Sequence, residues 1–130
     1  MKILGIGTDI VNIKRIEKSL KSHGNDFKEK IFLKNEIKYC DKKNNPSAFY
    51  AKRFAAKEAL SKALGIGIRK GLNFKNIEIK NDNYGKPYIK LNGAAETFLK
   101  KKAKNKKYSI YVSLTDEKSF AHATVVISVN

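Results

Sequence analysis

The stretch from Pro46 to Gly65 leaves almost no room for a water-facing surface. Pro46 suits the first turn of a helix, where its missing N–H leaves no hydrogen bond unmade, and Gly65 with Gly67 supplies the stop. At about 100° per residue, Phe49, Tyr50, Phe54, Leu60 and Leu64 cover one broad arc. Ala48, Ala51, Ala55, Ala56, Ala59 and Ala63 cover much of the rest. A helix that is apolar nearly all round has to be buried or sandwiched at an interface, so the remaining chain must wrap it. Its charges form no clean solvent face. Glu58 and Lys62 are neighbours between Phe54 and the alanine surface, while Arg53 and Lys57 stand among the large apolar side chains. Charges in such surroundings need partners. Taken alone, Glu58 and Lys62 would be an i,i+4 helix pair worth about 0.3 to 0.5 kcal/mol.

The flanking patterns predict what does the wrapping. Residues 3–11 alternate as a strand, with Gly5 and Gly7 marking a bend or a close backbone approach. Asn12 is the expected cap of a helix over 13–22, ended by His23-Gly24-Asn25. A short helix is expected over 35–42, before the helix at 46–64. Strands follow at 76–80 and 87–91 around the turn Asn81-Asp82-Asn83-Tyr84-Gly85. Asn92 is the expected cap of a helix reaching Ala103, and 108–115 and 119–129 read as two strands joined around Asp116-Glu117-Lys118. No repeat or linker divides the chain. The expectation is one compact α+β domain over 1–130, mainly antiparallel sheet packed against a long central helix.

Charge narrows the partners. The 28 basic against 12 acidic residues leave +16 and a pI near 9.9, a field that attracts nucleic acid, an anionic surface, a phosphorylated cofactor or an acidic protein. A coding bias toward lysine and asparagine inflates that figure, since only Arg15, Arg53 and Arg69 are arginine. Arginine is the better bidentate phosphate ligand, which singles those three out. The single Cys40 excludes an intramolecular disulfide and a multi-cysteine metal site. No apolar run reaches a membrane span and Met1-Lys2-Ile3-Leu4-Gly5 lacks a signal-peptide layout, so a soluble, cytoplasmic protein is expected.

Two separated motifs are more specific than any of this. Ile6-Gly7-Thr8-Asp9-Ile10-Val11, and about fifty residues later Arg53-Phe54-Ala55-Ala56-Lys57-Glu58-Ala59-Leu60-Ser61-Lys62-Ala63-Leu64-Gly65, together resemble the holo-acyl-carrier-protein synthases, a branch of the 4'-phosphopantetheinyl transferases. Asn76-Ile77-Glu78-Ile79, Gly85-Lys86-Pro87-Tyr88 and the segments Val112–Glu117 and Ala121–Ile127 extend the likeness over nearly the whole chain.

That resemblance implies an enzyme with a 4'-phosphopantetheinyl transferase-like fold. It would move 4'-phosphopantetheine from coenzyme A to a serine of apo-acyl-carrier protein and release adenosine 3',5'-bisphosphate, serving fatty acid biosynthesis. It further implies Mg²⁺ held by Asp9 and Glu58, consistent with a hard cation that takes one or two carboxylates beside substrate phosphate. Lys62 would stabilise or protonate the leaving phosphate, and Arg53 would reach the coenzyme A nucleotide phosphates. Glu58, directly or through a water on the metal, is the preferred base for the serine; a water activated by metal alone is the alternative. Lys57 is either a second phosphate contact or a structural lysine. Ser61 reads as packing, with no histidine beside it to activate it.

Many relatives carry histidine where this chain has Asp116 in Ser113-Leu114-Thr115-Asp116. Thr115 is then the expected hydroxyl donor to phosphate, with Asp116 serving the turn. His122 reads as a satisfied core residue and His23 as a helix end. The resemblance also implies a homotrimer with active sites between subunits, and an acidic carrier docked on Lys14, Arg15, Lys18 and Lys21. The lysines of 100–107 read as a solvated helix end. The competing reading is a small basic nucleic-acid-binding module. No exposed aromatic array interleaved with basic residues and no C2H2 or RNP-type motif supports it, and it leaves the acids beside Arg53 and Lys62 unexplained. A structural interaction protein fails on the same point.

Overall fold

A computed structural model describes residues 1–68 and 71–130, leaving Arg69 outside the described residues. Five strands and four helices run in the order β1 (Lys2–Asn12), α1 (Ile13–Ile31), α2 (Lys34–Asp41), α3 (Pro46–Leu64), β2 (Ile77–Asn81), β3 (Pro87–Leu91), α4 (Gly93–Lys102), β4 (Tyr108–Glu117) and β5 (Phe120–Val129). The α+β class and the central helix are as the sequence predicts. β1, β5 and β4 form an antiparallel sheet in that order, and β2 pairs with β3 in a separate antiparallel hairpin.

α3 is the axis of the molecule. Tyr50, Ala51, Ala55, Ala56, Ala59, Leu60 and Leu64 are all fully buried, and Gly65 closes the helix in the left-handed conformation at φ 85°. One side of α3 lies on the inner face of the sheet, formed by Gly5, Gly7 and Val11 of β1 with Ala121, Ala123, Val125 and Ile127 of β5. Here β1 lies directly on the backbone of α3. A Cβ on Gly7 would overlap the Ala59 carbonyl oxygen and stand 2.8 Å from Ala63 N. A Cβ on Gly5 would overlap the Ala63 carbonyl in the same way. The two glycines are therefore a packing requirement rather than a bend.

Strand alternation turns every second residue of the sheet outward. On that outer face Ile6, Ile10, Tyr111 and Phe120 are 67%, 63%, 56% and 46% exposed, interleaved with the polar Thr8, Ser113, Thr115, His122 and Thr124.

The other side of α3 meets α1, α2 and the β2–β3 hairpin around the one ion pair that is fully buried among the described residues. Lys57 donates to Glu36 Oε1 at 2.7 Å, Ile31 O at 2.8 Å and Phe74 O at 3.1 Å. Burial pushes the Lys57 ammonium below its ordinary pKa, against the pull of Glu36. Lys57 is thus the structural lysine of the two expected alternatives.

Several local expectations change. α1 does not stop at 22: it resumes beyond Gly24, whose φ 47° and ψ −124° kink it, and reaches Ile31. His23 consequently lies before a kink, not at a helix end. Asn12 caps α1 as expected, accepting from Lys14 N at 2.9 Å. Asn92 does not cap α4 with its side chain; it donates to Lys75 O at 3.1 Å instead. β4 continues through Asp116 and Glu117, so Asp116 is a strand residue and pairs with Lys52 at 3.1 Å. His122 is satisfied, with Nε2 2.7 Å from Thr8 Oγ1, but on the outer face of the sheet and not in the core.

Candidate active site

Two rigid elements bring the widely separated motifs together. Asp9 shares the inward parity of Gly5 and Gly7 on β1, so the close seating of β1 on α3 carries its carboxylate to the last two turns of the helix. Lys62 donates to Asp9 Oδ1 at 3.2 Å and to Thr8 O at 3.0 Å. The Lys62 side chain is 53% exposed and that of Asp9 17%. Glu58 is one turn before Lys62 on the same side of α3. Burial, and then the charge of Asp9, hold Glu58 above its ordinary pKa, while Lys62 and Arg15 pull it down. Asp9, Glu58 and Lys62 therefore form a single cluster, and Arg15 of α1 stands close enough to be felt by it. Lys14 and Lys18 are also exposed on that helix, and Lys21 is exposed but paired with Glu17 at 3.4 Å.

Arg53 is elsewhere. Nine residues separate it from Lys62, which places the two on opposite sides of α3. Its Nη2 donates to Asn81 Oδ1 at 2.6 Å, its guanidinium lies 4.1 Å from the Tyr39 ring centroid, and its buried Nε has no hydrogen-bond partner. Arg53 faces a second cleft of about 470 Å³, which Tyr39, Lys43, Lys80 and the β2–β3 turn also line. Thr115 stands on the outer sheet face opposite His122, separated by the sheet from Asp9. Within one chain, then, neither Arg53 nor Thr115 joins the carboxylate cluster, because helix phase and strand parity point them away.

The cleft sets Arg53, Lys43 and Lys80 against Glu78 and Asp82, a small positive excess beside the Tyr39 ring that suits an anion with a planar group attached. The half-buried cluster of two carboxylates and one ammonium suits chemistry on a phosphate that carries its own counter-charge. Among the described residues no group of three or more His, Cys, Asp and Glu gathers, so a cation here would need ligands from the substrate.

Residues 5–125 match the sequence profile of the 4'-phosphopantetheinyl transferase superfamily, described by that name. The chain belongs to this family. The holo-[acyl-carrier-protein] synthase of Wigglesworthia glossinidia brevipalpis is 49% identical, an alignment that spans 100% of this chain and 95% of that protein. The crystal structure of the Neisseria meningitidis holo-[acyl-carrier-protein] synthase superimposes with a TM-score of 0.84 at 38% identity, covering 97% of this chain and 98% of that one. That of Helicobacter pylori, in complex with coenzyme A, gives a TM-score of 0.81 at 39% identity, covering 95% and 99%. The fold is thus the transferase fold, with an antiparallel sheet on a central helix.

The sequence had not pointed to Glu36, Tyr39, Lys43, Lys80 or Asn81. Lys57 on the apolar arc signals that an anion must meet it, but nothing local says that Glu36, twenty-one positions away, is that anion.

Proposed function

We propose that this chain is a holo-[acyl-carrier-protein] synthase acting as one domain over 1–130. It transfers 4'-phosphopantetheine from coenzyme A to a serine hydroxyl of an apo-acyl-carrier protein, in the cytoplasm and for fatty acid biosynthesis. The observation that carries the reading is the meeting of Asp9, Glu58 and Lys62, brought from β1 and α3 to one half-buried spot.

The serine oxygen bonds to the β-phosphorus of coenzyme A as the bond from that phosphorus to the bridging oxygen breaks. Adenosine 3',5'-bisphosphate leaves. Glu58, one turn before Lys62, takes the serine proton directly or through a water. Lys62 is half-exposed and free to leave Asp9 for the departing phosphate oxygen, where its charge or its proton offsets the developing negative charge. The donor set fits a hard divalent cation: two carboxylates whose mutual repulsion raises Glu58 are relieved by a positive ion. Asp9 and Glu58 would hold Mg²⁺, which supplies charge neutralisation at the pyrophosphate.

Arg53, whose side chain lines the cleft with Tyr39 and Lys43, takes the nucleotide phosphates of coenzyme A there. Since Arg53 and Thr115 face away from the cluster in their own chain, a neighbouring chain supplies them. The exposed sheet face that carries Ile6, Ile10, Tyr111 and Phe120 is the surface on which a homotrimer closes. The acidic carrier docks on Lys14, Arg15, Lys18 and Lys21, on the helix that borders Glu58.

The test is mass spectrometry of an apo-acyl-carrier protein incubated with the enzyme, coenzyme A and Mg²⁺. The expected result is a gain of one phosphopantetheine group, lost on chelation and in Asp9→Ala and Glu58→Ala proteins that remain folded. Full activity of either variant overturns the site; inactivity toward several apo carriers at varied Mg²⁺ overturns the function.

A further inference from the structure

The buried Lys57–Glu36 pair takes no part in the chemistry above, yet each partner makes three hydrogen bonds in the interior. Both side chains are 0% exposed. Glu36 accepts from three donors: Lys57 Nζ at 2.7 Å and Leu33 N at 2.9 Å on Oε1, and Ile79 N at 3.0 Å on Oε2. Buried ion pairs contribute little net stability compared with apolar residues of the same volume, so stability alone does not account for one here. What such a pair does fix is geometry, because each bond has one length and one direction.

Three elements show what is being fixed. On α3, Arg53 and Lys57 are four residues apart and share a side of the helix. On α2, Glu36 and Tyr39 are three apart and also share a side. On β2, Ile79 and Asn81 are two apart and share a face. The contacts connect these in matching order. Lys57 meets Glu36, which holds the Ile79 backbone; Arg53 meets Tyr39 and is held by Asn81 at 2.6 Å. The two rungs lie side by side, one buried and ionic, the other at the floor of the basic cleft.

We propose that Lys57 and Glu36 are positioning residues for the coenzyme A nucleotide site. They set the register and spacing of α2 and β2 against α3, so that Tyr39 and Asn81 hold the Arg53 guanidinium open toward the cleft. This rests on the assignment of Arg53 to the nucleotide phosphates.

Glu36→Gln is the direct perturbation. Glu36 only accepts, so the amide NH₂ must confront either the Ile79 N–H or the Lys57 ammonium whichever way it turns. One of the two links that Glu36 makes, to α3 or to β2, is weakened either way while Asp9, Glu58 and Lys62 are untouched. The expected result, measured well below the unfolding midpoint, is a roughly tenfold rise in KM for coenzyme A and a matching loss of coenzyme A affinity by calorimetry. Turnover at saturating coenzyme A stays within about twofold of the parent.

The double variant Lys57→Met with Glu36→Gln covers the case in which the single one does not fold. There no ammonium opposes the amide: its oxygen keeps the Ile79 N–H bond, only the Leu33 N–H loses its acceptor, and coenzyme A affinity returns to within about threefold of the parent. A lowered melting temperature with unchanged coenzyme A affinity and KM in both variants makes the pair purely structural and overturns the proposal. An Arg53→Ala control separates the two levels. If it weakens coenzyme A and the Glu36 variants do not, only the positioning role falls. If it binds coenzyme A like the parent, the nucleotide-site assignment falls and takes the positioning role with it.

Discussion

Replacing Gly7 by alanine tests whether the seating of β1 on α3 is what assembles the site. The added methyl overlaps the Ala59 carbonyl oxygen and lies 2.8 Å from Ala63 N and 2.9 Å from Ala59 C. All three are backbone atoms of a buried helix, so no side chain can rotate out of the way. Restoring ordinary contact means lifting β1 from α3 by about 1 Å, and Asp9 is only two residues further along the strand. Overpacking of this kind costs about 1 to 3 kcal/mol, which for a domain of this size lowers the melting temperature by about 3 to 15 °C.

The catalytic loss is expected to exceed the stability loss. A 1 Å displacement of a reacting group costs up to about 10²-fold, or about 3 kcal/mol of barrier. The assay is transfer to apo-acyl-carrier protein at a temperature where calorimetry shows the variant fully folded. Because the obstruction is backbone, no substitution at Ala59 restores activity. A Gly7→Ala protein with an unchanged melting temperature refutes the packing argument. One with a lowered melting temperature and full activity refutes the link between seating and catalysis.

Glu58→Gln is expected to abolish transfer yet raise the melting temperature of the metal-free protein at neutral pH. Glu58 is held above its ordinary value of 4.5, so the unfolded chain loses that proton first and the parent loses stability as pH rises from there to the folded pKa. The gain should vanish below the ordinary carboxylate range, which thermal scans against pH will read. In Asp9→Asn, a carbon-13 NMR titration of the Glu58 carboxyl should show a pKa lower than in the parent, since the charge of Asp9 is one of the two causes that hold it up. Lys14→Glu with Lys18→Glu should weaken binding of the carrier more than binding of coenzyme A; equal effects contradict docking on α1. Ile10→Glu, on the exposed sheet face of the edge strand β1, should shift light-scattering mass from the proposed trimer to monomer.

The parts of the fold that repeat locally were legible. The apolar girdle of α3 sets its burial, Pro46 and Gly65 set its ends, and strand alternation locates β4 and β5 to within a few residues. Where one residue has two local meanings, the reading went astray. Gly24 reads as a helix stop, yet a kink at φ 47° lets α1 continue because Ile31 and Phe32 beyond it have core positions to fill. The site was legible to the extent that it depends on spacing along one element, as for Glu58 and Lys62. Arg53 and Lys62 fall on opposite sides of α3 by the same arithmetic that puts Glu58 beside Lys62. Motif likeness grouped them, and helix phase separates them. The Lys57–Glu36 pair shows the remaining limit, since a buried charge announces its need for a partner but not the partner's address.

β1 carries Asp9 on one face and Ile6 and Ile10 on the other, in consecutive pleats of a single strand. In the proposed trimer, a side chain that closes the assembly is therefore one peptide unit from the carboxylate proposed to hold the cation. Dilution acts on both at once: as trimers dissociate, turnover per chain should fall with protein concentration, and so should the apparent affinity for Mg²⁺. Enzyme concentration becomes a variable of the reaction and not merely a multiplier of its rate.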